Sequence, residues 1–382
     1  MKNLRLLFIV ILCGFAMNAL AQKKFSVYAV GFYNLENLFD TCHDVGKRDF
    51  DFLPNGSYRW NARKYKSKLR NMSRALADLG TDVLPNVGCA VIGVSEVENC
   101  KALDDLTAEE PLRARNFKYI LVEGPDMRGV DCALLYNPAL FTPTDTAYHY
   151  YINKDVAPEE VEETVKLTDE QMAMADSAKL DTTVVETGLP KNVSHTRGFL
   201  TITGKLAGET VTIIVCHWPS RFNGSERREW AGQQVHKIVE DLLEKNPDNK
   251  IFVMGDLNDD PTNKSVTEGL RGKAEIKDVK EGDMYNPWYN ILAKDGQGTL
   301  AYGGSWNLFD QILMTPNVLD FSGKKDYTTL KYWKCQIQRR NYLIQTEGRY
   351  KGNPKRTHAG GVWLDGYSDH LPTVIYLVKE QR

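Results

Sequence analysis

An α/β fold is predicted by three features of the chain. Short β-rich runs alternate with helical patterns through most of its 382 residues, no linker separates its two halves, and polar side chains gather where apolar runs end. Phe25–Tyr33 reads as the first strand and Asn61–Leu79 as an amphipathic helix. Ala90–Ser95, Phe117–Val122 and Cys132–Tyr136 follow as strands. Residues 155–192, acidic and polar, break the pattern and read as an inserted arm, lid or solvated surface helix rather than core. Gly198–Leu206 and Thr210–Cys216 then form a hairpin-like pair around Ala207-Gly208-Glu209. Glu226–Lys245 is a helix, Lys250–Gly255 a buried strand, and Phe309–Thr315 and Thr373–Val378 are the last strands. The length would permit two or three domains, but two mixed halves without a linker argue for one, residues 22–382.

Composition narrows the function. With 42% hydrophobic and 26% charged residues the chain has material for a substantial core and is not a disordered or collagenous protein. A net charge of −2 excludes histone-like, non-specific binding of nucleic acid, so any polyanionic substrate must be gripped locally. Lys2 and Arg5, the apolar run from Leu6 to Met17 and the small-x-small Ala19-Leu20-Ala21 predict a signal peptide over residues 1–21, cleaved after Ala21, and hence a secreted or periplasmic protein. That run is shorter than the ~20 residues of a membrane span, so no stable insertion is expected after cleavage. Val10-Ile11-Leu12 lacks the small residue that precedes a lipidated cysteine, which argues against a lipoprotein at Cys13. The mature chain keeps Cys42, Cys89, Cys100, Cys132, Cys216 and Cys335, too few for a disulfide scaffold and without zinc-finger spacing. Cys132 and Cys216 lie in strand-like runs and read as buried thiols. Residues 322–358 are rich in Lys and Arg interleaved with tyrosines and Trp333, which suits a phosphate-bearing partner and equally a solvated loop.

The chemistry sits at strand ends. Asn34 and Glu36 in Tyr33-Asn34-Leu35-Glu36-Asn37 are two apart, so an extended chain would point both to one side. The apolar run Val91–Ser95 ends in Glu96, whose carboxylate would be costly unless a cation relieved it. Asp256 and Asn258 repeat the spacing just past a strand. Asp310 heads a strand, Asp369-His370 precedes the last one, and His217 follows its own in His217-Trp218-Pro219-Ser220-Arg221. Singly, an acid at a strand end is more often a turn or cap than a ligand. Together, oxygen donors with few histidines favour Mg²⁺ or Mn²⁺, with Ca²⁺ also open, over Zn²⁺, and pair naturally with phosphoryl chemistry.

The ordered motifs YNLEN, GVSEVEN, HWPSR, GDLND, FDQIL and SDHLP resemble those of the endonuclease/exonuclease/phosphatase superfamily, from about Phe25 to Val378. The resemblance implies a four-layer α/β/β/α sandwich of two packed mixed sheets flanked by helices, with the site at one rim. It implies Glu96 as principal metal ligand supported by Asn34 and Glu36, with Asp369 near the metal. Asp256 would activate the attacking water and Asn258 would help hold the phosphate. Asp310 would fix the tautomer of His370, and His217 would contact the phosphate and assist the leaving group. Arg221 and Arg197 are candidate phosphate contacts, Arg221 reading equally as a structural ion pair. The expected protein is a monomeric, divalent-metal-dependent phosphoesterase, foremost a nuclease on DNA or RNA. The alternatives are a phosphodiesterase or phosphatase on a lipid headgroup or small phosphorylated metabolite, and a non-catalytic phosphate-ligand binding protein. A carboxylate-pair glycosidase would leave Asn34, Asn258 and His370 without a role.

Overall fold

A computed structural model describes residues 23–154 and 189–381. The expected signal peptide and almost all of the 155–192 insertion lie outside the described residues. In chain order the strands are β1 (Phe25–Leu38), β2 (Cys89–Val97), β3 (Lys118–Leu121), β4 (Asp131–Tyr136), β5 (Phe141–His149), β6 (Phe199–Leu206), β7 (Glu209–His217), β8 (Lys250–Asp256), β9 (Gly272–Lys273), β10 (Met284–Tyr285), β11 (Leu300–Tyr302), β12 (Ser305–Asn307), β13 (Asp310–Met314), β14 (Lys331–Ile337), β15 (His358–Ala359), β16 (Val362–Trp363) and β17 (Thr373–Glu380). The main helices are α1 (Ala62–Asp78), α2 (Cys100–Ala108) and α3 (Ser225–Lys245). One sheet runs β14-β17-β1-β2-β4-β3 and the other β5-β6-β7-β8-β13-β10-β9. β11–β12 and β15–β16 are separate hairpins.

Alternation along the strands builds four layers. From β1, Val30 and Phe32 face Ile213 and Val215 of β7 and Phe252 and Met254 of β8 across the gap between the sheets. Ala29, Tyr33 and Leu35 face outward onto Leu69, Met72 and Leu76 of α1. On the far side Ile214, Ile251 and Val253 pack against Ala231, Val235 and Val239 of α3. The Asn61 side chain caps α1 by accepting the N–H groups of Arg63 and Lys64. The architecture is the four-layer sandwich expected from the motifs. The long strands that escaped the sequence are β5, whose outer residues are exposed and mixed, and β14, the half-buried edge strand inside the basic 322–358 segment; the two- and three-residue strands β9, β10, β11, β12, β15 and β16 escaped it as well.

Topology sends the polar strand ends to one rim. β1 and β2 are parallel, with Asn34 opposite Ser95, so their carboxyl ends emerge together. β17 is antiparallel to β1, with Phe32 opposite Thr373, so the residues just before Thr373 meet the end of β1. In the other sheet parallel β7 and β8 place His217 opposite Asp256, and antiparallel β13 places Asp310 there too.

Two features hold this rim in register. Gly255 precedes Asp256, and a Cβ there would overlap the carbonyl oxygen of Cys216 on β7. Glu98, just past β2, ties the ends of β1 and β2: its N–H donates to Leu38 O and its Oε2 accepts from Asp40 N–H at 2.6 Å. Burial, reinforced by the nearby Asp40, Asp44 and Asp49 carboxylates against the Asp40 N–H bond, pushes the Glu98 carboxyl up to about 9.

Gly255→Ala is expected to cost on the order of 1–3 kcal/mol in denaturant unfolding, through the overlap with β7. Glu98 should behave oppositely. Its folded pKa lies above the unfolded value of 4.5, so its stability contribution is complete below pH 4.5 and is lost as pH rises toward about 9. Glu98→Gln, which keeps an acceptor for Asp40 N–H, should therefore raise the melting temperature at pH 7, recovering on the order of 3 kcal/mol, and the gain should vanish near pH 4.5. A gain that persists at the lower pH would show another origin.

Candidate active site

The backbone itself marks the site. Glu36 (φ 46°), Asn37 (φ 57°), Glu96 (φ 60°) and Asn258 (φ 50°) all adopt the left-handed conformation that non-glycine residues avoid. Glu36 and Asn37 lie where the β1–β2 register shifts between Asn34 and Leu38, Glu96 where β2 shifts against β4, and Asn258 just past the end of β8. The turn at Glu36 overturns the expectation that Asn34 and Glu36 project together from an extended chain. Asn34 Nδ2 donates to Asp256 Oδ2 at 2.9 Å, and its Oδ1 accepts from Glu36 N–H. The Glu36 carboxylate instead accepts from Thr357 N–H at 2.7 Å and faces Arg356 Nε at 3.5 Å.

Asp256 lies at the centre. Its Oδ1 accepts from Asn258 N–H at 2.9 Å. Its Oδ2, besides Asn34, faces His217 Nε2 at 3.7 Å and His370 Nε2 at 3.8 Å. Those separations exceed a hydrogen bond, so neither histidine is bonded to Asp256 directly. His370 Nδ1 is paired with Asp310 Oδ2 at 2.7 Å, so its Nε2 is the nitrogen turned to Asp256. Glu96 completes the group: Oε2 accepts from Asn37 N–H at 2.9 Å, and Oε1 lies 3.7 Å from His217 Nε2.

The two histidines are pushed in opposite directions. Burial disfavours the His370 imidazolium, but the carboxylates of Asp310, Asp256 and Asp369 overcome it and hold its pKa well above the ordinary value. Burial drives His217 well below its ordinary value, helped by the Arg197 and Arg128 guanidinium groups and by His370. At neutral pH one imidazole is charged and the other is not. Burial also pushes the Asp256 carboxyl up to about 6 despite the neighbouring His370, with Asp310 adding repulsion.

A hard dication fits this donor set. Among the described residues no three His, Cys, Asp or Glu side chains converge as a dedicated cage would. Mg²⁺ is usually held by one or two carboxylates, with water and substrate oxygens filling its shell. Glu96 meets that description. It is partly exposed, and among the described residues its Oε1 receives no hydrogen bond.

The structure thus brings Asn34, Glu96, His217, Asp256, Asn258, Asp310 and His370 to one rim, with Glu36 and Asp369 alongside. Asp369 Oδ2 is bound by Arg356 Nη2 at 2.8 Å. The two arginine expectations fare differently. Arg197 is buried behind His217, bonded to Asp126 Oδ2 and Trp218 O, and so does not line the open rim. Arg221 is half-exposed but donates to Asn258 O, Asp260, Asn263 and Asn307, which makes it a structural brace. Sequence reasoning missed Lys68 and Arg356. Lys68 had a signal, being a charge on the apolar stripe of α1 between Tyr65 and Met72. Arg356 had none beyond the general basicity of its segment.

Comparisons with known proteins identify the family and the fold. An Endonuclease/Exonuclease/phosphatase family model matches residues 29–174 and 170–379. No curated protein matches the chain. Among solved structures, an endonuclease/exonuclease/phosphatase family protein from Bacteroides thetaiotaomicron superposes with a TM-score of 0.52 at 15% identity, over 94% of this chain and 97% of that one. A mannosyl-6-phosphatase from the same organism gives 0.51 at 14% identity over 92% and 99%. TDP2 from Caenorhabditis elegans gives 0.50 at 12% over 92% and 74%. At such identities the likeness is one of fold, whereas the family match spans nearly all of the chain beyond its first 28 residues. The chain belongs to the endonuclease/exonuclease/phosphatase family, whose members are divalent-metal-dependent phosphoester hydrolases.

Proposed function

We propose that the protein is a Mg²⁺-dependent phosphodiesterase that cleaves nucleic acid strands outside the cytoplasm, export being inferred from the leader-like residues 1–21. The observation that carries the reading is the convergence of Asn34 Nδ2, His217 Nε2 and His370 Nε2 on Asp256 Oδ2, with His370 backed by Asp310. A phosphodiester repels an anionic nucleophile, so hydrolysis needs donors on the phosphate and a base on the water in the same small space.

Each side chain has a part. Asn34 Nδ2 and Asn258 N–H hold the Asp256 carboxylate so that Oδ2 can take a proton from the attacking water. The His370 imidazolium, steadied by Asp310, offers its Nε2 proton to the phosphate and then to the leaving oxygen. Neutral His217 can donate through Nε2 without adding charge, so the acid role expected of it passes to His370. Asn258 spends one amide hydrogen on Trp218 O at 3.0 Å and keeps the other for the phosphate. A divalent cation at Glu96, when bound, supplies Lewis-acid neutralisation of the phosphate oxygens.

Support for a nucleic acid strand comes from the loops around the rim. Phe222, next to the braced Arg221, is 98% exposed, and Tyr302 at the tip of the β11–β12 hairpin is 76% exposed. That hairpin is fastened to the site, since Leu300 bridges to His370 and Thr299 O accepts from Leu371 N–H. Arg128, near enough to depress His217, adds positive charge. Exposed aromatic faces beside cations suit unpaired bases and their backbone.

With purified protein and Mg²⁺, Asp256→Ala and His370→Ala are each expected to lower kcat on oligonucleotides by ~10²-fold or more, and EDTA should abolish turnover. Turnover of sugar phosphates with no cleavage of DNA or RNA would overturn the assignment. The pH profile gives a separate check. The base is active only when ionised, so kcat/KM should climb as pH rises through about 6 and level off above it. A flat profile between pH 5 and 7 would remove Asp256 as the base.

A further inference from the structure

The side chains that sequence reasoning missed carry a conclusion about metal number. It rests on the reading of Glu96 as a metal ligand. Lys68 rises from α1 into the interior and is 1% exposed. Its ammonium donates to Thr357 Oγ1 at 2.6 Å and to Tyr367 O at 2.5 Å, which pins both ends of the segment leading to Asp369 and His370. Its charge is felt by Glu36, Asp369 and Glu96, yet among the described residues it makes no contact ion pair with them, so it acts across the space that they border. Arg356 closes the same space from the rim, bonding Asp369 Oδ2 and facing Glu36 Oε1.

We propose that Lys68, with Arg356, is a resident cation that holds this site to a single divalent metal at Glu96. Hydrogen-bond geometry supports it. Both Glu36 oxygens and Asp369 Oδ2 are turned to Thr357 N–H and Arg356, whereas Glu96 Oε1 is free of donors among the described residues. A second ion would have to displace Arg356 and sit beside a buried ammonium, against the Coulomb repulsion that low-dielectric surroundings strengthen. Lys68 is thus a positioning residue. It acts through Glu36, Asp369 and the 357–367 segment rather than on substrate.

Mn²⁺ binding to the full chain, followed by titration calorimetry and by the electron paramagnetic resonance signal of free ion, tests this without substrate. The wild type should saturate at one Mn²⁺ per chain. Lys68→Met, which keeps the stem and removes the charge, should admit a second, and Lys68→Arg should restore the limit of one. Should Lys68→Met fail to fold, Arg356→Gln provides the test, because that side chain is 40% exposed and its removal should likewise raise the stoichiometry to two. Two ions bound by the wild type would overturn the proposal, as would folded Lys68→Met or Arg356→Gln variants that still stop at one. No binding to the wild type at all would instead sink the reading of Glu96 on which the proposal rests.

Discussion

The apolar contact between the two sheets sets every other distance in the molecule. Phe32, Val91 and Leu134 from one sheet meet Val215, Met254 and Ile312 from the other, and all are fully buried. Close packing of this kind leaves little freedom for one sheet to slide over the other. The rim groups belong to both halves: Asn34, Glu96 and His370 are carried by one sheet, and His217, Asp256 and Asp310 by the other. The bond from Asn34 to Asp256 crosses from sheet to sheet. Sub-ångström placement of polar atoms is therefore inherited from interdigitated hydrocarbon far from the chemistry.

Around the rim the dominant cost is electrostatic. Five carboxylates enclosed together would repel one another strongly, and the fold meets this in three ways. It backs His370 with Asp310, it threads a lysine through the helix layer, and it returns Arg356 from a late loop. What remains is a local negative excess, in a protein whose overall charge is nearly neutral. Such a site attracts a dication.

The fold was legible in the sequence wherever burial was deep and periodic. β2, β4, β7 and β8 are apolar runs with clear ends, and α1 and α3 show helical spacing. β5 and β14 were not legible, because edge strands have one wet face and little pattern to betray them. The site residues at strand ends were readable because an acid after an apolar run is conspicuous. Their relations were not. Spacing suggested that Asn34 and Glu36 act together, but a left-handed turn at Glu36 sends one side chain to Asp256 and the other to Thr357. Lys68 and Arg356, more than two hundred and eighty positions apart, meet only through the third dimension.

The left-handed backbone at Glu36, Glu96 and Asn258 bears on how such a protein can change over generations. Glycine is the residue most at ease in that conformation, so at these three places the better building block is the poorer reagent. Random drift toward sturdier chains would erode the chemistry there first. A descendant that gave up catalysis could keep its sandwich intact, and even firmer, while its rim filled with glycines.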